Sequence, residues 1–91
     1  MNTLYNLMNE IRNNLYWYNM IDIENVLIDI HFYTWSADGL NIINTVEFDN
    51  YAEFEKEAEN NKSYQTILYR NIEYMKNDES GLIDYLTIWV D

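Results

Sequence analysis

Cysteine and proline are both absent from these 91 residues, and only two glycines occur. Without cysteine there are no disulfides and no thiolate metal sites, which suits a reducing cytoplasm. Gly39 and Gly81 lie far apart, so a glycine-rich phosphate loop is excluded. Basic residues are also scarce: five, against sixteen acidic ones, for a net charge of −11. Phosphate backbones and anionic lipid surfaces repel such a chain, which disfavours direct binding to nucleic acid or membrane. No apolar run approaches the ~18 residues that span a bilayer. The start, MNTLYNLMNEIRNN, has neither the basic nor the apolar region of a signal peptide. A soluble, cytoplasmic protein is the expectation.

What is present argues for a folded chain. Hydrophobic residues make up 48% and aromatic residues 16%, more than a disordered acidic segment carries. The length fits one acidic α+β domain over residues 1–91. A chain of this size buries roughly 60–65% of its unfolded surface, enough for one core but not for a deep enzyme cleft.

Over residues 3 to 15, Leu4, Leu7, Met8, Ile11 and Leu15 recur at helical spacing, with Thr3 or Asn2 available as cap. Tyr16-Trp17-Tyr18 closes this helix or begins a linker. From Asn25 to Trp35, Val26, Ile28, Ile30 and Phe32 alternate with Leu27, Asp29, His31 and Tyr33, the period of a strand. Asp38-Gly39 signals a hairpin into a second, antiparallel strand over Leu40 to Phe48. Asp49-Asn50 can cap a helix over about 50–60. Ser63 can cap another, in which Tyr64, Ile67, Leu68, Ile72 and Met75 share a stripe; Tyr64 to Arg70 has a strand as its alternative. The final LIDYLTIWV alternates as a strand. The expected order is α-β-β-α-α-β, a three-stranded, mostly antiparallel sheet with helices on one face.

Catalytic signatures are missing. His31 sits mid-strand with no cysteine nearby and no acid at ligand spacing on a helix, which fits a packed or surface histidine better than a base or metal ligand. Ser36, Ser63 and Ser80 fall at turns or caps, and none stands in a nucleophile elbow. Glu53 and Glu57 lack the Glu-x-x-His partners of a di-metal helix. No cofactor is expected, and the chain reads as non-enzymatic.

The segment EFDNYAEFEKEAENN, residues 47–61, concentrates six carboxylates and one lysine. At ~100° per residue, Tyr51, Phe54 and Ala58 form its packing stripe, flanked by Glu53 and Glu57 on one side and Glu55 and Glu59 on the other. Like charges at i, i+4 destabilise a helix by about 0.2–0.5 kcal/mol per pair, and Glu57 and Glu59 oppose the helix dipole. Local stability therefore does not select the pattern, which leaves solubility or a basic partner. Removal of these charges is expected to raise stability slightly if anything. If Val26, Ile28, Ile30 and Phe32 face the helices, the opposite sheet face shows Asp29, His31, Tyr33 and Trp35, with Tyr85, Thr87 and Trp89 beside them. Exposed Tyr and Trp are frequent interface anchors, unless a helix or the Tyr16-Trp17-Tyr18 segment covers them. An RNA-binding sheet frames its aromatics with Lys and Arg. Here the frame is acidic.

In size, charge, absence of cysteine, α+β plan and EFDNYAEFEKEAENN, the chain resembles the small acidic inhibitors encoded by phages, particularly anti-CRISPR proteins that act as DNA mimics. Abundant Asn, Ile and Tyr suit the AT-rich coding of many low-GC bacteria and their phages. The resemblance is one of general character and carries over no family residue. It implies a host-cell cytoplasmic inhibitor occupying the basic nucleic-acid channel or PAM-reading site of a CRISPR effector nuclease, its carboxylates meeting Lys and Arg. Anti-restriction proteins work by the same physics. The alternative is an immunity protein or antitoxin that plugs a basic nuclease toxin. On either reading the expected partner-binding residues are Glu47, Asp49, Glu53, Glu55, Glu57, Glu59, Tyr33, Trp35, Asp38, Asp78 and Glu79. Homodimerisation through the aromatic face stays open.

Overall fold

The computed structural model describes residues 2–91, apart from the side chains of Leu15, Tyr16 and Tyr18. Two helices open the chain, α1 (Leu4–Asn13) and α2 (Leu15–Met20), followed by the hairpin strands β1 (Leu27–Ser36) and β2 (Gly39–Phe48). Helix α3 (Tyr51–Asn60) and the single turn α4 (Lys62–Gln65) lead to a second hairpin, β3 (Asn71–Lys76) and β4 (Ile83–Val90). Among the described residues, no helix is long and apolar enough to cross a membrane.

The sheet has four strands in the order β2-β1-β4-β3. Each hairpin is antiparallel, and the two are joined by parallel pairing of β1 with β4. The expected three-stranded, mostly antiparallel sheet is thus corrected to a four-stranded mixed one, and the expected helix after Ser63 to one turn and a strand. Two physical causes explain the change. Leu4 N–H donates to Ile67 O (2.9 Å) and Tyr69 N–H to Asn2 O (2.8 Å), so this stretch is held extended along the N-terminus. Beyond it, Asn71 to Lys76 pairs with the free edge of β4, which would otherwise offer a row of unpaired amides. The apolar residues 64, 67, 68, 72 and 75 match a helical stripe, but Ile72 and Tyr74 also match the period of two that the sheet uses.

Helix α2 is a further departure, since Leu15 opens it instead of ending α1 and Tyr16-Trp17-Tyr18 lies within it; the remaining elements fall close to expectation. Thr3 caps α1, its hydroxyl accepting from Asn6 N–H at 3.0 Å, and Leu4, Leu7, Met8 and Ile11 are buried. Gly39 takes φ of +109° in the β1–β2 turn, a region that side chains disfavour. One core unites the α1 stripe, Tyr51, Phe54 and Ala58 of α3, and the inward residues Ile28, Ile30, Leu86, Ile88 and Val90 of the two central strands. Trp17 and Met20 of α2 pack on the edge of the same core, beside Tyr74 and Ile83. All helices whose packing is described therefore lie on one side of the sheet.

Candidate functional site: the uncovered sheet face

Cross-strand register defines what the other side displays, because paired residues share a face and neighbours along a strand alternate. One row reads Glu47, Asp29, Thr87 and Glu73 across β2, β1, β4 and β3. The next outward row reads Thr45, His31, Trp89 and Asn71. Beyond the end of β4 the first hairpin continues alone, adding Ile42 opposite Tyr33 and Leu40 opposite Trp35. Three carboxylates thus stand in one row beside a field of aromatic rings. A β-bulge between Phe32 and Tyr33 leaves Ile43 as the extra residue on β2, 69% exposed; such bulges increase local twist.

The aromatic residues form a connected group. The rings of His31 and Trp89 are 4.9 Å apart, those of Tyr33 and Trp89 5.8 Å, and those of Tyr33 and Trp35 6.2 Å. Both Tyr33 contacts are edge-on, at 81° and 90°, the geometry that ring quadrupoles favour. His31 Nδ1 shares a 2.8 Å hydrogen bond with the Thr45 hydroxyl. His31, Tyr33 and Trp89 are half-buried by one another, while Trp35 remains 68% exposed. Trp17, from the segment named as an alternative cover for this face, packs on the core side.

Electrostatics on this face are tuned by one bond. Tyr85 donates its hydroxyl to Asp29 Oδ2, and that bond, with burial second, raises the Tyr85 phenol above its ordinary range. Asp29 faces Glu47 directly, an arrangement that destabilises an antiparallel pair. The phenol is the group that eases it. Among the described residues, ion pairs are made only by Arg12 and Arg70, so most carboxylates keep their charge uncompensated.

The acidic helix tells a different story. Asn50 Oδ1 accepts from Glu53 N–H and Glu53 Oε2 accepts from Asp49 N–H, both at 3.0 Å, a reciprocal cap. Arg12 of α1 bridges Glu55, at 3.1 Å, and Glu59. Glu57 accepts from Asn61 Nδ2 at 2.7 Å. All four glutamates of α3 have intramolecular partners, and the Arg12 bridge adds a tertiary contribution that the balance of helix-local repulsion leaves out. The signal was in the sequence only as Arg12, 43 residues before Glu55 and with no local mark of the pairing.

The expected partner-binding residues are divided between surfaces. Tyr33, Trp35 and Glu47 share the uncovered face. Glu53, Glu55, Glu57 and Glu59 are on α3, across the sheet from it. Asp49 lies exposed between β2 and α3. Asp38 stands in the β1–β2 turn, at the opposite end of the sheet from Asp78 and Glu79 in the β3–β4 turn. Glu73 escaped the sequence reading because its segment was read as a helix, and Asp29 joins it only through the parallel pairing of β1 with β4. No family model, characterised protein or solved structure matches the chain.

Proposed function

We propose that this protein is a non-enzymatic acidic inhibitor that docks its uncovered sheet face on a basic nucleic-acid-binding surface of a bacterial defence nuclease. The observation that carries this reading is the row Glu47, Asp29 and Glu73 beside Tyr33, Trp35 and Trp89, with no described helix over it. Aromatic anchors bring binding energy, and carboxylates steer the approach and select Lys and Arg on the partner. The acidic helix supplies long-range field more than contact, since its glutamates are engaged internally. An anti-CRISPR or anti-restriction role fits this chemistry by competition with DNA for one surface.

The test is order of addition against a panel of CRISPR effector and restriction nucleases. Inhibitor added before DNA blocks loading; added after a stable complex forms, it does much less. Equal inhibition in either order would point to an allosteric or catalytic block and end the mimicry reading.

A further inference from the structure

Where β1 and β2 run past the end of β4, the uncovered face forms an open cleft of about 190 Å³ lined by Tyr33, Trp35, Leu40, Asn71, Glu73 and Trp89. All six are outward residues by register. Three walls are aromatic, and both indoles stand nearly perpendicular to the Tyr33 ring. The one charged lining residue is Glu73; nearby Arg70 is drawn off by Asp91 at 3.5 Å. From this we infer that the cleft is a cage for an arginine side chain presented by a basic protein partner.

The chemistry favours that occupant. A planar guanidinium stacks on aromatic faces while its edge forks onto a carboxylate, a combination that an ammonium does not match. Trp is the ring that binds cations best, and this cleft has two. Trp89 Nε1 is buried and has no acceptor among the described residues, a local cost that phenylalanine would avoid while still filling the space. What indole adds is its electron-rich face. The cleft holds several times the ~30 Å³ share of one water, room for a side-chain head. Nucleic acid is disfavoured by the carboxylate row one step along the sheet.

The inference deepens the proposed function and rests on its basic partner, so the experiment separates the two. Nitrogen-15-labelled full-length protein is titrated with acetyl-Gly-Arg-Gly-amide and with versions carrying Lys or Gln in place of Arg. The indole signals of Trp35 and Trp89 are followed together with the backbone amides. The Arg peptide is expected to shift both indoles saturably and to bind more tightly than either comparison. Trp35→Ala is expected to weaken it roughly three- to thirty-fold, and Glu73→Gln to weaken it and remove much of its salt dependence. Both residues are exposed, so signal dispersion reports that each variant folds. Equal binding of the Gln peptide overturns the cage, and equal binding of the Lys peptide overturns the guanidinium assignment. Indole shifts that depend on protein concentration alone would assign the face to a second copy of the chain, also overturning it. A hepta-arginine peptide is run in parallel at about 0.15 M salt. Binding that perturbs the Asp29 and Glu47 amides but leaves the indoles unmoved overturns the cage and leaves the docking face standing; binding confined to α3, or no binding at all, overturns both.

Discussion

Asp29 on β1 lies directly opposite Glu47 on β2, two carboxylates paired across the antiparallel register on the face that no described helix covers. Like charges so placed cost roughly 0.2–1 kcal/mol, partly relieved by the Tyr85 hydroxyl. Glu47→Gln should therefore stabilise the fold by up to about that amount, seen as a higher urea midpoint at unchanged slope. The same change should slow association with a basic partner, most at low salt. A variant no more stable than the parent would show that the pair is not strained, and with it the case for a functional reason to keep both charges would fall.

On α3, changing Glu53, Glu55, Glu57 and Glu59 together to Gln should lower thermal stability, reversing the expectation from helix-local repulsion. Arg12 loses both of its charged partners in that variant. Arg12→Ala should lower the unfolding midpoint too, by an amount that shrinks in high salt, since these groups are partly exposed. If the quadruple variant is as stable as the parent, the α1–α3 bridge is not holding the helices together.

Alkaline pH offers a third measurement. Asp29 raises Tyr85 above the ordinary phenol value of about 10, and burial foremost raises Tyr51, Tyr64 and Tyr69. A folded-state pKa above the unfolded one means a contribution fully present below pH ~10 and lost as pH climbs through the folded values. Urea midpoints should change little from these groups between pH 7 and 9, then fall. Tyr85→Phe should flatten part of that fall. Tyr51→Phe should cost about 0.5–1.5 kcal/mol at neutral pH, because its hydroxyl donates to Met8 O at 3.1 Å inside the core. An unchanged alkaline slope in Tyr85→Phe would mean that its bond to Asp29 does not form.

Hydrogen exchange tests β3. As an edge strand paired only with β4, it should show protection on alternate amides between Asn71 and Lys76. Consecutive protection would mean a helix, and would remove Glu73 and Asn71 from the uncovered face.

Local physics was enough for much of this protein. The helical spacing of Leu4, Leu7, Met8 and Ile11 leaves one apolar stripe, and Tyr51, Phe54 and Ala58 another; both are buried as their periods require. Asp38-Gly39 set the first hairpin, since only glycine turns there without strain. The alternation of Asp29, His31, Tyr33 and Trp35 against Ile28 and Ile30 already divided an aromatic, acidic face from a core face.

Three things required the tertiary structure, and each depends on distant partners. Residues 64–76 carry a pattern compatible with both periods, and only the open edge of β4 and the backbone of Asn2 to Leu4 decide between them. Parallel pairing of β1 with β4 joins residues more than fifty positions apart, aligning Asp29 with Thr87 and so with Glu73. Arg12 meets Glu55 and Glu59 because two helices pack on one core, which turns a run of like charges into a network with partners. Period and turn chemistry act within a few residues and can be read along the chain. Charge compensation and strand order act through space, and only the folded chain brings those residues together.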